Sequence, residues 1–548
     1  MEQLRCSDCN FDIESSRATI QGPPNYLYRY HLRHNGYPSF DEVNPLAAEM
    51  REAQAQASLL GDTIARMEAT VAALEAERGR VIGIVAQYRV ILRPIHTLPP
   101  ELLVRIFLLS IDPPMVLDSA IARVYPPHSL DTSKTPWTLG QVCGSWRRLA
   151  HQTSGLWSSV SFSFRDGDRN ALTSQSYVHR LGLQLQHSAK YPLTVVTSTS
   201  PNATLSVADP VVVLLSFNTD HVKHLRIDWN GHNGPVTSFS RGRFQLLETL
   251  DIRVLAPPNA GERVLLDCFE LASRLNKLIL SGDLTGLSLT VPAFRITSLY
   301  WCDDENPTNS SLLPVRNLLA AFYNLQVCRL SLHPRTIFSY APGSIPTVKL
   351  SSLSELVLLC TNQEKTIQNS KGILKWITAP SLTHLTLFSS RTDSASLSSL
   401  LSAPQKIVSL CIHQVKMMTG HFRDILVKLT SLQTLSFGVA GKITDEHISL
   451  FQLMVTDSKS FKVAPRLQKL VLLTTPGTKS SYSDKKLAAM LEARRTLDGV
   501  EKPHLVSVLL DRRISDRSVR TRLNILIKNG LNVLEGGERG VRYTWSTY

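Results

Sequence analysis

The sequence has few cysteines, no long apolar run and none of the short motifs that mark common enzymes. Eight cysteines in 548 residues are too sparse for a disulfide scaffold and favour a reducing compartment. No apolar run reaches the roughly 18 residues that a membrane span requires, and the N-terminal stretch lacks the apolar core of a signal peptide. We therefore expect a protein of the cytoplasm, the nucleus or both, without a membrane partner.

Catalytic and cofactor motifs are missing as well. The chain has no G-x-x-x-x-G-K-[ST] loop, no G-x-G-x-x-G after a strand, no H-E-x-x-H and no G-x-S-x-G, so we predict neither an enzyme nor a cofactor. The acidic run Asp303, Asp304 and Glu305 is interpreted as an exposed loop rather than a cation site. Cys143 lies on an apolar helical face, which indicates packing rather than a reactive thiolate.

Acidic residues are outnumbered by basic ones, which gives a net charge of +14 at pH 7. Such a charge is compatible with nucleic acid, an anionic membrane or an acidic protein surface. Near the C-terminus the basic residues are dense: Arg494, Arg495, Arg512, Arg513, Arg517, Arg520, Arg522 and Lys528. Because no aromatic residues of the base-stacking type lie among them, we interpret the cluster as a solvated helix face, with contact to phosphate or to an acidic degron as the alternative.

Residues 1–45 are rich in turn-forming residues and show little periodicity, so we expect an extended or loosely ordered segment. Cys6 and Cys9, with His31 and His34, are residue types that suit a tetrahedral zinc site. The gap between the two pairs is longer than the usual finger spacing of about 12 to 15 residues. We therefore predict no metal, while zinc at these four residues stays open.

A long helix is predicted over residues 46–93. From Leu60 to Ile95 apolar residues alternate at steps of three and four, which is the heptad pattern of a coiled coil. Arg78 interrupts the pattern, and Pro94 ends it. Two outcomes are open: pairing with a second copy of the chain, or packing of a single helix on another part of this chain.

Two further amphipathic helices and an apolar turn are predicted between Leu98 and Val160. The stretch LPPELLVRIF has prolines in the first turn and apolar residues at helical spacing. In PWTLGQVCGSWRRLA, residues from Leu139 to Leu149 share one apolar face, and SGLW follows closely. This segment is too small to bury three apolar faces alone, so the spare surface indicates a partner.

These motifs resemble the F-box, in the version found in fungal F-box-like proteins. The resemblance implies a domain at residues 94–165 that binds the Skp-type adaptor of a cullin-RING ubiquitin ligase. The proline-rich insertion at 112–136 departs from the F-box pattern and is expected to be a surface loop. The resemblance assigns the following residues to adaptor binding: Leu98, Pro99, Leu102, Leu103, Ile106, Phe107, Val142, Cys143, Trp146, Leu156 and Trp157.

Short apolar alternations recur from residue 206 to 548, from Leu225 and Ile227 to Val508 and Leu510. They stand mostly about 21 to 35 residues apart, which is typical of repeat proteins. We predict one strand for each, with intervening helices over 318–322, 397–401, 422–429 and 487–491. The pattern resembles irregular leucine-rich repeats, and a mixed α/β domain without repeats is the alternative. Before this region, 162–205 is expected to be a junction with a helix over 177–185 and a strand over 193–197.

The predicted fold class is therefore α+β or α/β: a long N-terminal helix and a small helical F-box, followed by an irregular α/β solenoid of leucine-rich-repeat type. The predicted function is a non-catalytic substrate receptor of a cullin-RING ligase, which recruits an unknown target protein. His333, His384 and His413 are candidate target contacts because of their position by the repeat strands. The alternatives are an interaction scaffold without a ligase role and a nucleic-acid-associated basic protein.

Overall fold

The structure is a computed structural model that divides into two compact units, Met1–Pro99 and Pro100–Tyr548. Its described residues are 25–92, 95, 98–111, 129–164, 175–199, 210–229, 239, 241–255, 264–284, 286–302, 313–332, 347–360, 376–388, 406–415, 419–439, 443–452, 463–473, 481–495, 505–510 and 512–535. No helix among these residues combines the length and apolarity needed to cross a membrane.

The N-terminal unit contains helices α1 (Asn25–His34) and α2 (Phe40–Ile91). The predicted long helix is confirmed, but it begins at Phe40 because the Glu42 carboxylate accepts a hydrogen bond from the Ser39 amide at 2.9 Å and caps the first turn. The expectation of a loosely ordered segment up to residue 45 is therefore wrong over α1 and the first turn of α2. None of the 52 residues of α2 is buried.

The second unit contains the remaining helices and all the strands of the described residues. The helices are α3 (Pro100–Ser110), α4 (Leu139–Val142), α5 (Gly144–Gln152), α6 (Gln175–Ser188), α7 (Pro210–Ser216), α8 (Leu313–Ala321), α9 (Thr419–Lys428), α10 (Asp445–Leu450), α11 (Asp484–Arg495) and α12 (Arg517–Lys528). A 3₁₀ turn, Ser154–Trp157, follows α5. We call α3, α4, α5 and this turn the helical cluster. Helices were predicted over 422–429 and 487–491, and α9 and α11 confirm them.

The strands are β1 (Ser159–Phe164), β2 (Leu193–Thr199), β3 (Val222–Trp229), β4 (Thr249–Val254), β5 (Val264–Leu266), β6 (Lys277–Ser281), β7 (Leu287–Leu289), β8 (Ser298–Cys302), β9 (Val327–Leu332), β10 (Val348–Lys349), β11 (Glu355–Cys360), β12 (Ile377–Thr378), β13 (His384–Phe388), β14 (Ser409–Val415), β15 (Thr434–Val439), β16 (Lys469–Leu472), β17 (Ser507–Leu510) and β18 (Asn532–Glu535). Fourteen of them form one large sheet, while β5 pairs with β7 and β10 with β12.

The large sheet takes its strands in chain order, and every neighbouring pair is parallel. Parallel neighbours require a crossover connection between consecutive strands. The strand order is β1-β2-β3-β4-β6-β8-β9-β11-β13-β14-β15-β16-β17-β18. The predicted mixture of a long helix and an α/β sheet is confirmed.

One face of the sheet forms the core through aligned apolar residues. Leu250 aligns with Leu225 on one side and Leu278 on the other, and all three are buried. The same alignment of buried apolar residues continues along the sheet to Val508 in β17. In β9 the aligned pair is Cys328 and Leu330. Burial raises the pKa of the Cys328 thiol to about 12, so this cysteine is a packing residue.

The sheet begins at Ser159 and not near residue 206. The helix and strand that the sequence predicted inside the junction are confirmed as α6 and β2. However, β2 pairs with the whole length of β1, from Ser159 with Thr194 to Phe164 with Thr199. The sequence analysis missed strand β1 because its sequence is SVSFSF, and the alternating serines resemble a linker. The helical cluster is therefore followed at once by the first strand.

The outer edge of β1 is covered by hydrogen bonds from Gln184 and Ser129. Gln184 is fully buried, and its Nε2 donates to the Ser159 carbonyl at 2.7 Å. The Ser129 amide donates to the Ser161 carbonyl at 2.8 Å, and the Ser161 amide donates to the Ser129 hydroxyl at 3.0 Å. That hydroxyl donates to Gln184 Oε1 at 3.1 Å. These bonds satisfy backbone groups that an edge strand otherwise leaves open.

We predict that Gln184→Leu destabilises the second unit by about 1 to 3 kcal/mol, because it leaves the partly buried Ser159 carbonyl without its donor. Hydrogen exchange of the Ser161 amide should also accelerate. This amide donates to the Ser129 hydroxyl, which loses its own acceptor, Gln184 Oε1, in the variant. Urea unfolding and hydrogen exchange measure both effects. Gln186→Leu is the matched control, since Gln186 is exposed on the same helix. Equal stability of the two variants would contradict the role of Gln184.

Candidate functional site

Helix α3 carries apolar residues on two sides. Leu103 and Phe107 are 7% and 1% exposed and belong to the core, whereas Leu102 and Ile106 are 47% and 43% exposed. Leu109, which the sequence analysis missed, is 80% exposed. Positions 102, 106 and 109 follow the four- and three-residue steps of one helical stripe. We call Leu102, Ile106 and Leu109 the α3 stripe.

The second predicted helix is two helices, so that prediction is wrong in detail. The chain leaves helical geometry at Cys143, whose φ of −159° and ψ of 168° separate α4 from α5. The Cys143 Sγ accepts a hydrogen bond from the Trp146 amide at 3.4 Å and thereby caps α5. Val142, at the end of α4, is 58% exposed. The break leaves Cys143 and Trp146 half-buried as parts of the cluster.

Aromatic rings hold the helical cluster together. The Phe107 and Trp146 ring centroids lie 4.8 Å apart, which joins α3 to α5. Trp157 is buried, donates from Nε1 to the Ala150 carbonyl at 2.8 Å and meets Trp137 edge-on at 5.0 Å. The Trp137 Nε1 donates in turn to the Ser129 carbonyl at 2.8 Å. The cluster is thus tied to the segment that covers the edge of β1.

The predicted adaptor-binding residues differ in how exposed they are. Four of them, Leu103, Phe107, Leu156 and Trp157, are buried in the core. The prediction that these four contact a partner directly is therefore wrong. Leu102, Ile106 and Val142 are exposed and available for contact. Leu98 is half-buried and Pro99 is exposed, and both belong to the N-terminal unit. Of the predicted insertion loop, residues 112–128 lie outside the described residues.

Of the three histidines proposed as target contacts, only His384 is exposed on the described sheet. His333 lies outside the described residues. His413 is 5% exposed, its Nε2 lies 2.9 Å from the Ser436 hydroxyl, and burial lowers its pKa to about 4. A target contact by His413 is therefore wrong. Gly438 beside it leaves the space for this ring, because a Cβ there would lie 2.7 Å from His413 Nδ1.

The middle of the sheet carries a charged aromatic patch on the face opposite the core. The Lys277 ammonium lies 4.6 Å from the Tyr300 ring centroid, and the Arg329 guanidinium lies 5.1 Å from it. Arg329 also pairs with Glu355 at 2.9 Å. All four side chains are half-buried. In the sequence, each of these four residues is adjacent to a leucine or cysteine that is buried in the same strand. Because side chains alternate along a strand, each of the four lies on the opposite face of the sheet.

Charged residues also lie buried on β3 and β4. Arg226 Nε lies 3.6 Å from the Asp251 carboxylate, and the two side chains are 7% and 4% exposed. Burial raises the pKa of Asp251 to about 6, although Arg226 acts in the opposite direction. Asp228 accepts a hydrogen bond from the Ser198 hydroxyl at 2.8 Å. The sequence analysis did not find this group, because nothing in the local pattern marks these charges as buried.

Most of the C-terminal arginines bind other parts of the chain. Arg494 is 1% exposed and donates to the carbonyls of Phe451, Val463 and Ala464 at 2.6 to 2.8 Å. Arg512 pairs with Asp484 at 2.5 Å, and Arg522 pairs with Glu492. The interpretation as a solvated helix face is therefore wrong for Arg494 and Arg512, whose donors are engaged within the protein. Arg522 is 40% exposed on α12, so its pair with Glu492 lies at the surface.

Metal ligands do not come together among the described residues, where no group of three His, Cys, Asp or Glu side chains could hold an ion. Cys6 and Cys9 of the open zinc alternative lie outside the described residues, as does the acidic run at 303–305. His31 Nδ1 lies 3.1 Å from the Gly36 carbonyl, and His34 Nδ1 lies 3.0 Å from the Tyr30 carbonyl.

We predict that Arg494→Met destabilises the second unit by about 3 kcal/mol or more, since three buried carbonyls lose their donor. The midpoint of urea unfolding measures this change. Arg513→Met serves as the control, because Arg513 is exposed. The account fails if both variants unfold at the wild-type midpoint.

A second prediction concerns acid stability. Since the pKa of His413 is about 4 in the folded chain and about 6.5 when unfolded, the unfolded state takes up the proton first below pH 6.5. This lowers stability between pH 6.5 and 4, by at most about 1.4 kcal/mol per pH unit. Asp251 has the opposite effect. Because its pKa is raised in the folded chain, it adds stability at pH values below its pKa in the unfolded chain, and this stability is lost as the pH rises through about 6.

His413→Gln should therefore lose less stability than wild type when the pH falls from 6.5 to 4.5. Melting temperatures across this range provide the measurement. His384→Gln, at an exposed histidine of the neighbouring strand β13, is the matched control for replacing a histidine of the sheet. Identical pH profiles for all three proteins would refute the prediction.

Comparison with known proteins adds no family to these observations. No family model matches the chain. No curated protein matches it.

Proposed function

We propose that the chain is a non-catalytic substrate receptor of a cullin-RING ubiquitin ligase. The observation that carries the proposal is the α3 stripe. One side of α3 closes the core through Phe107, while Leu102, Ile106 and Leu109 on the other side are exposed together. Apolar residues in a contiguous exposed row are typical of a protein interaction site.

The sequence around the stripe supports an F-box-like role. The motif LPPELLVRIF contributes α3, and PWTLGQVCGSWRRLA contributes α4 and α5. In this proposal Leu102, Ile106 and Val142 bind a Skp-type adaptor, and Leu109 extends their surface. Phe107, Trp146 and Trp157 act indirectly, because their packing holds α3 in place.

The sheet would recruit the target protein. Strands in chain order, each returning through a crossover, support a solenoid of leucine-rich-repeat type, in which every unit covers its neighbour. The face opposite the core then offers Tyr300, Arg329 and Glu355 as target contacts. The mechanism is proximity: the ligase brings an acceptor lysine of the target near the activated ubiquitin.

The test is co-purification of the full chain with a Skp-type adaptor, compared with the double variant Leu102→Asp, Ile106→Asp. We expect a stoichiometric complex with the wild type and a loss of affinity of about 100-fold or more in the variant, because two carboxylates are placed in an apolar contact. The control is Leu265→Asp, Leu271→Asp, at leucines that are 54% and 62% exposed outside the cluster. Circular dichroism verifies that each variant is folded.

A folded wild type that never binds the adaptor would overturn the receptor proposal and favour a scaffold without a ligase role. Binding that survives the stripe variant and is lost in the control would also overturn it. Arg494 and Arg512, whose donors are engaged within the protein, do not support the nucleic-acid alternative, which requires affinity that falls steeply with salt.

A further inference from the structure

Helix α2 has an unpartnered apolar seam along its length. Its 52 residues span about 78 Å at 1.5 Å per residue, and none of them is buried. Long helices gain most of their stability from packing an apolar face. The seam residues Leu60, Ile64, Met67, Val71, Leu74, Val81 and Val85 are 40% to 65% exposed.

We propose that α2 pairs with α2 of a second copy of this chain in a parallel, in-register, two-stranded coiled coil. The inference goes beyond the proposed function and does not rest on it. In heptad letters Ile64, Val71 and Val85 occupy position a, while Leu60 and Leu74 occupy position d. β-branched residues at a combined with leucine at d favour two parallel strands over three or four.

The residues around Arg78 specify this arrangement. Arg78 occupies an a position, where it faces Arg78 of the other copy in a parallel in-register pair. A single polar residue at such a position selects register and number of strands at a cost in stability. In this pair Arg78 also lies beside Glu77 of the other copy, at the neighbouring g position. Arg80 holds the Glu77 carboxylate at 2.6 and 2.7 Å at the edge of the seam. Because the two copies are equivalent, the dimer contains this contact between Arg78 and Glu77 twice.

The charges beside the seam are compatible with the same arrangement. In a parallel pair each g residue faces the e residue five positions later on the other helix. The pairs that contain an acidic residue are Glu42 with Ala47, Glu49 with Gln54, Thr63 with Glu68, Thr70 with Glu75 and Glu77 with Ile82. None of these pairs brings like charges together.

Two glycines of α2 weaken the isolated helix. Gly79 and Gly83 fall at positions b and f, on the side away from the seam, where a Cβ would meet nothing within 4 Å. Each costs a helix about 1 kcal/mol relative to alanine. Burial of the seam against a second copy offsets this cost, because each buried leucine or valine contributes about 1.5 to 3 kcal/mol.

The test is the mass of the full chain at micromolar concentration, measured by light scattering after gel filtration. We expect twice the chain mass of 61.0 kDa. The variant Leu60→Asp, Leu74→Asp should run at the mass of one chain. The matched control Leu59→Asp, Val90→Asp should keep the double mass, because its residues are exposed on the same helix at positions c and f.

A charge exchange tests the parallel register. Glu77→Lys should raise the dissociation constant, because it places a lysine beside Arg78 of the other copy. Adding Arg78→Glu should restore dimerisation, since the pair then has opposite charges again. A wild type at the mass of one, three or four chains overturns the proposal, as does a control that dissociates while the seam variant does not. Failure of the charge exchange to restore the dimer overturns the parallel register.

Discussion

The first strand of a sheet has an outer edge whose backbone groups need partners, and this constraint organises the second unit. Gln184 and Ser129 supply those partners for Ser159 and Ser161. Because Ser129 also accepts the Trp137 indole hydrogen bond, the covering of the edge and the packing of the helical cluster are one arrangement. The cluster therefore acts as the cap that the end of a parallel sheet requires.

This cap determines which apolar residues are exposed. Phe107 must face Trp146 to close the cluster, and helical geometry then turns Leu102 and Ile106 outward. The α3 stripe is thus a consequence of how the cluster packs on itself. A partner that covers the stripe would bury apolar surface without rearranging the core. By the same reasoning, the buried Trp157 holds the cluster together without being exposed to a partner.

Sequence patterns predicted the parts of the fold whose signal is local. The leucine pairs of the strands were recognisable because one face of each strand is buried, and α2 was recognisable from its heptads. The break at Cys143 was missed because a cap within an apolar run leaves the periodicity intact. β1 was missed because its burial depends on α6 and Ser129 rather than on its own composition.

The candidate site was predicted in outline but not residue by residue. Spacing indicated that α3 has apolar residues, but it could not separate Leu102 from Leu103, because that choice depends on the position of Trp146 and the turn after α5. Likewise Arg494 and an exposed arginine such as Arg513 look alike in a charge cluster. Only the three carbonyls gathered around Arg494 distinguish them.

The central claim is that the α3 stripe is a binding surface held by a rigid cap. Hydrogen exchange of the full chain, alone and with saturating Skp-type adaptor, tests it most directly. We predict slower exchange in α3 and around Val142 when the adaptor is present, with unchanged slow exchange in β1. Unchanged exchange in α3, or adaptor protection confined to the sheet, would contradict the account.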